Sequence, residues 1–185
     1  MVYTYVGKGT IILGMRNKPV EMLKSGDKVI GYYIGIGPKR YTESRVKSVR
    51  YVGKIECKLV GSRSEHALIA DGQKSVDSTF KYVNIHDIVY SVGRVIPRPF
   101  KVHETTQADV YEIELEDSDV VPLLTSYMFI AFVDKPLQSN FQGGLSGKEK
   151  SKGSKKQSSR SRQSKTKNKH KTKKEQQKKE SRRRK

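Results

Sequence analysis

The chain has 185 residues, with 38 Lys and Arg against 19 Asp and Glu, and a formal charge of +19. That length holds one domain with an extension, or two very small domains. Its single cysteine, Cys57, excludes an intramolecular disulfide and a cysteine-closed zinc site within one chain, and the N-terminus MVYTYVGKGT lacks the apolar core of a secretory signal.

Val2–Val6 and Thr10–Leu13 read as strands joined by a bend at Gly7-Lys8-Gly9. The spacing of Val20, Met22 and Leu23 predicts a short helical turn within Pro19–Ser25. Gly26-Asp27 ends it, Lys28–Ile34 is a strand, and Gly35–Pro38 is a loop. Tyr41–Val52 alternates loosely, as a long half-exposed strand would. Ile55–Val60 is a second strand, with Ile55, Cys57 and Leu59 on its apolar face. A turn at Gly61–Ser64 leads to a short strand at His66–Ala70, and Asp71-Gly72 is a tight-turn signal.

Gln73–Thr79 is polar and reads as a loop, and Phe80–Val83 and Ile88–Val92 bracket another. Lys101–Glu104 and Val110–Glu116 continue the strand pattern, with Pro97 and Pro99 marking a break or an edge. Thr125–Val133 reads as a last strand buried on both faces. About ten short strands with almost no helical period argue for an all-β domain. No internal repeat is present beyond an echo of Leu23-x-x-Gly26-Asp27-x-Val29 in Val83–Val89. The longest apolar stretch, Val120–Val133, spans 14 residues broken by Pro122, Thr125 and Ser126, too short to cross a bilayer as a helix.

The charge divides the chain at residue 137. Residues 1–137 hold 19 basic and 16 acidic side chains, for +3, and 138–185 hold 19 basic residues against Glu149, Glu175 and Glu180, for +16. The first part is large enough for a real core. The second has only Phe141 and Leu145 as sizeable apolar residues, so it cannot offset its chain entropy and is expected to be disordered in isolation.

Four blocks, taken in order, resemble the Hint domain, the fold shared by inteins and the C-terminal processing region of hedgehog proteins. They are Gly9-Thr10 with Val20-x-x-Leu23-x-x-Gly26-Asp27-x-Val29, a strand running into Ser64-Glu65-His66-Ala67-Leu68, the Tyr82–Tyr90 segment, and Val110-Tyr111-Glu112-Ile113-Glu114-Leu115. The resemblance covers roughly residues 3–134. It implies a compact all-β fold and an N-terminal acyl shift, in which a Cys or Ser attacks the preceding carbonyl and a histidine protonates the departing nitrogen. The nucleophile position, five residues before the Thr of the Gly-Thr pair, is Tyr5 here, and a phenol with pKa about 10 is a poor acyl-shift nucleophile. His66 matches the family's histidine, but the Thr expected three residues earlier is Arg63, and Val133-Asp134 stands where splicing domains end in His-Asn. The resemblance therefore implies a degenerate, non-catalytic Hint-like scaffold with His66 as a relic acid. The rival is an autoprocessing domain using Thr4, Tyr5 or a displaced nucleophile, which would release only the Met1–Thr4 tetrapeptide of this sequence.

Other motifs read as structural. His66, His86-Asp87 and His103-Glu104 have no spacing that fixes a metal, and adjacent residues on a strand point to opposite faces. Gly7-x-Gly9-Thr10 lacks the ending and the helix of a phosphate loop, so no cofactor is expected. Cys57, on an apolar face, reads as an inert core thiol. Tyr32, Tyr33, Tyr41 and Tyr51 beside Lys39, Arg40, Arg45, Lys47 and Arg50 are either a stacking and phosphate surface or half-buried strand tyrosines beside a solvated face.

The tail carries the binding expectation. Lys152, Lys155, Lys156, Arg160, Arg162, Lys165, Lys167, Lys169, Lys171, Lys173, Lys174, Lys178, Lys179, Arg182, Arg183, Arg184 and Lys185 are expected to contact nucleic-acid phosphates, more readily RNA, with little sequence preference. Lys171–Lys185 would become helical on neutralisation. Ser158-Ser159-Arg160-Ser161-Arg162 is similar to the serine/arginine pattern of RNA-associated proteins, where phosphorylation weakens binding. The basic clusters suit nuclear or nucleolar import in a eukaryote, and otherwise a cytoplasmic or nucleoprotein setting. The β domain would offer a protein-partner or self-association surface.

Overall fold

Period-two alternation becomes eleven strands in the computed structural model, which describes residues 1–137. They are β1 (Thr4–Gly7), β2 (Ile11–Ile12), β3 (Lys18–Pro19), β4 (Lys28–Tyr33), β5 (Arg40–Gly61), β6 (His66–Ala70), β7 (Lys74–Val76), β8 (Tyr82–Asn84), β9 (Ile88–Ser91), β10 (Arg98–Leu115) and β11 (Val120–Pro122). A single 3₁₀ turn, Val20–Met22, occupies the place where helical spacing was expected. Among the described residues no helix is long and apolar enough to cross a membrane.

The main difference from the sequence expectation is length. Tyr41–Val52 and Ile55–Val60 are one 22-residue strand, β5, and the two segments around Thr106 are one 18-residue strand, β10. Bulges let such long strands pair without breaking. Val110 faces Gly53 while Tyr111 faces Tyr51, so Val52 is an extra residue on β5, and Gly53 takes φ 116° to absorb it. Likewise His103 is extra on β10 and Lys47 on β5. The two expected strands left Gly53-Lys54 between them, and the backbone freedom of the glycine lets the ladder run on there through the bulge. Pro99 does not break the strand. It lies one residue inside the start of β10, opposite Tyr90 of β9.

The strands run in the order β11-β4-β5-β6-β1-β10-β9, and β5 also pairs with β10. The pairings β5–β6, β6–β1, β1–β10 and β10–β5 therefore close a circuit of four strands. Val6, Val46, Val60, Ile69, Ile113 and Leu115 point into the main core beside it. The two echoing segments both enter this core, through Leu23 and Val29 and through Ile85 and Val89.

Two further segments depart from expectation. Gln73–Thr79 contains β7 rather than being all loop, and its polar residues Gln73 and Ser75 are fully buried. Thr125–Val133 is not a strand, and it is buried only at Thr125 and Phe129–Val133, with Ser126 exposed and Tyr127 and Met128 half-buried. It crosses between cores, sending Phe129 and Ala131 into the main cluster and Ile130 and Phe132 into a second. Its backbone bonds to scattered partners such as Ile11, Lys74 and Tyr3, and side-chain hydroxyls hold three of its carbonyls. Ser75 Oγ donates to Ile130 O at 3.0 Å, Thr4 Oγ1 to Ala131 O at 2.7 Å, and Ser91 Oγ to Tyr127 O.

Close packing between β4 and β11 leaves no room for a side chain at position 31. A Cβ there would lie 2.3 Å from Val120 Cγ1 and 2.8 Å from Val121 O. Gly31→Ala should lower stability by about 1–3 kcal/mol, read as a shift in the urea-unfolding midpoint. An unchanged midpoint would mean that β11 is not packed as described.

Candidate functional site around Tyr5

Tyr5 sits in the middle of β1 with β10 on one side and β6 on the other, and is 1% exposed. Its phenol donates to Glu112 Oε2 and accepts from Leu137 N at 3.0 Å. Arg50 reaches the same carboxylate at 3.0 and 3.1 Å. Burial, and after it the Glu112 hydrogen bond, raises the phenol well above its ordinary value near 10, against smaller opposing effects of the Leu137 amide and Arg50. The side chain at the nucleophile position is thus a neutral donor to a carboxylate.

The Tyr5 backbone is clamped as well. Gln73 Oε1 accepts from Tyr5 N at 2.9 Å, and Gln73 Nε2 donates to Tyr5 O at 2.7 Å and to Ala70 O at 3.0 Å. A carboxamide supplies one donor and one acceptor in the spacing of a strand neighbour, so Gln73 continues the β6 side of the ladder past the Asp71-Gly72 turn. Gly72, at φ 85°, makes that return of the chain cheap. Sequence reasoning missed Gln73, and the turn signal immediately before it was the clue. A neutral carboxamide holds the Tyr5 N–H as an acceptor and has no proton to give the nitrogen, which is the histidine's task in an acyl shift.

His66 lies elsewhere. It is exposed at the start of β6, opposite Gly61. Because Ile69 pairs with Val6, the antiparallel ladder carries His66 away from Tyr5 by about 13 Å of strand rise. Other hydroxyl and thiol groups near Tyr5 are occupied or suppressed. The buried Thr4 hydroxyl is committed to Ala131 O. Cys57 shares a small core with Tyr5, Ala70 and Val110, and burial pushes its thiol up to about 12. Val133 does come beside the site, bridging Tyr3, and Asp134 binds Lys74 at 3.0 Å.

His103 meets the residue that His66 faces across the ladder, Gly61. His103 Nε2 contacts Gly61 O at 2.6 Å, and among the described residues no group of three His, Cys, Asp or Glu side chains could hold a metal. The tyrosine-and-cation segment divides rather than forming one face. Tyr32 is buried, Tyr51 donates to Asp109 at 3.1 Å, Lys47 binds Glu114 at 2.7 Å and Arg45 Nη1 donates to Gly26 O at 3.2 Å. The seventeen tail cations assigned to nucleic acid, Lys152 through Lys185, lie outside the described residues.

Two outcomes test this clamp. Gln73→Ala strands three buried backbone groups and should cost about 2–4 kcal/mol in chemical denaturation. The raised Tyr5 phenol contributes stability that is intact below pH 10 and declines as pH climbs above it, because the unfolded chain then loses a proton that the folded one keeps. In alkali, unfolding free energy should therefore fall less steeply in Tyr5→Phe than in the parent chain. Parallel slopes would remove the phenol from the account.

The chain matches no protein-family model, and no curated protein matches it. Solved structures do. A bacterial intein-like domain from Clostridium thermocellum, determined in solution, is 17% identical with a TM-score of 0.50, over 70% of this chain and 97% of that one. A DnaB intein from Synechocystis sp. PCC 6803 is 9% identical with a TM-score of 0.42, over 69% and 94%. A variant of the Ssp DnaB mini-intein is 11% identical with a TM-score of 0.41, over 69% and 89%. The β body of this chain has the Hint-like fold of an intein-like domain.

Proposed function

We propose that this is a Hint-like body without acyl-shift chemistry, joined to a basic tail that binds RNA largely without sequence preference. The observation that carries the first half is the state of Tyr5. Its phenol is buried, protonated and bonded to Glu112, and its amide faces a carboxamide where the reaction needs an acid. An acyl shift would need a free nucleophile and a proton donor at that nitrogen, and neither stands there. The second half rests on charge. The near-neutral body and a +16 segment of 48 residues divide the labour, with the tail supplying phosphate contacts and counterion release. The body then acts as a folded platform for a protein partner or for self-association.

Removing residues 138–185 should abolish RNA binding in filter assays and leave the β-type circular dichroism intact. In the full chain, affinity should fall by about a thousandfold or more between ~50 and ~200 mM salt if six or more phosphates are engaged. Intact mass of freshly made protein should equal the encoded mass. Loss of an N-terminal fragment that His66→Ala prevents would establish autoprocessing in its place.

A further inference from the structure

A cavity of about 650 Å³ opens where the loop between β4 and β5, the turn before β8 and the loop after β9 converge. Tyr32 forms part of its lining, edge-on to Tyr41 with ring centroids 5.7 Å apart, and the Tyr41 hydroxyl donates to Val92 O. Phe80 and Arg94 line it with Arg40 and Lys39.

Phe80 is the unusual residue. It takes φ 60°, a conformation that bulky L side chains adopt only when their surroundings impose it. Here Asp77 imposes it. Asp77 Oδ1 accepts from Thr79 N at 2.8 Å, from Thr79 Oγ1 at 2.7 Å and from Lys81 N at 3.0 Å, while Phe80 N donates to Asp77 O at 2.9 Å. The ring so placed is not spent on the core, for Phe80 stays 39% exposed.

The cations differ in availability. Lys39 is tethered to the carbonyls of Ile34 and Gly35 at 2.7 Å each. Arg40 lies over the Tyr33 ring, 5.8 Å from its centroid. Among the described residues neither Arg40 nor Arg94 forms an ion pair. Glu43, Asp117 and Asp119 share an adjacent groove with Arg40; Glu43 pairs with Lys28, Asp117 accepts from Ser44, and none of the three forms an ion pair with Arg40. Flat rings with unneutralised guanidinium groups beside them match a ligand that joins an aromatic ring to an anion. Within the RNA-binding reading above, on which this rests, that ligand is a nucleotide.

We propose that this cavity seats one nucleotide of single-stranded RNA, its base against Phe80 and Tyr41 and its phosphate against Arg40 and Arg94. The folded body then adds a base-dependent contact to the tail's base-independent one. Ile36, Val95 and Ile96 are exposed in the same loops, and an anionic lipid surface could use them. The concave site, with arginines in its wall, favours a single base.

The test uses the full chain and two ligands of equal length and charge, oligouridine RNA and its abasic ribose-phosphate counterpart. At ~0.5 M salt, where tail contacts are weakened, the parent chain should bind the base-bearing oligomer about fivefold or more tighter. Phe80→Gly, whose new residue suits φ 60°, should erase that preference and leave low-salt binding of the abasic oligomer unchanged. Arg94→Ala should weaken oligouridine binding at high salt while circular dichroism stays the same. Absence of a preference in the parent chain, or its survival in Phe80→Gly, would overturn the proposal. So would flotation with anionic vesicles that Val95→Asp abolishes when no base preference exists. Failure of the tail reading would look different, as salt-independent or absent binding of the abasic oligomer.

Discussion

The long antiparallel ladder between β5 and β10 is the constraint on which the rest depends. Twenty-two residues on one side and eighteen on the other set the register of every strand beside them. Through Glu112, β10 fixes the partner of Tyr5, and through Arg50, β5 fixes the cation behind that partner. Where the two strands disagree in length, bulges at Val52, Lys47 and His103 absorb the difference without opening the pairing. Two of the bulges also aim a side chain, Lys47 toward Glu114 and His103 toward Gly61.

Tyr5 is a structural joint. Tyr5 links four parts of the chain: β10 through Glu112, the β6 side through Gln73, the β5 cation through Glu112, and Leu137 at the end of the described body. Every bond in that set is buried or half-buried, where hydrogen bonding is worth more and an unpaired group costs more. Chemistry and anchoring make opposite demands on one residue. A nucleophile has to be free to ionise and move, and an anchor has to be neutral and held.

Much of the fold was legible in the sequence. The all-β class followed from short alternating runs, and the order of the four blocks gave the Hint-like architecture before any coordinates. Local signals misled in two directions. Gly53-Lys54 fell between two expected strands but lies within one, because the positive φ of Gly53 lets the ladder pass through a bulge. Thr125–Val133 reads as a doubly buried strand because burial alone sets its composition. Its backbone bonds to several separate parts of the chain, among them Ile11, Lys74 and Tyr3 and the hydroxyls of Ser75, Ser91 and Thr4, which no period in its own sequence could reveal. Gln73 was hidden for a similar reason. A lone polar residue after a turn looks solvated until the strand it completes is known. The tyrosine-and-cation segment resolved into paired ions on one part and an open aromatic cavity on another, a split that depends on Phe80 and Arg94 arriving from distant loops.

The closed circuit of β5, β6, β1 and β10 has a consequence for assembly. In β1 the hydrogen-bonding groups face neighbours on both flanks, so no foreign strand can be added there without first peeling one away. The terminal members of the main sheet, β9 and β11, are covered too: β11 is buried throughout, Ser91 of β9 bridges Phe129, and Tyr90 N donates to Ser75 Oγ. A foreign strand would therefore have to displace part of the body wherever along this sheet it tried to add.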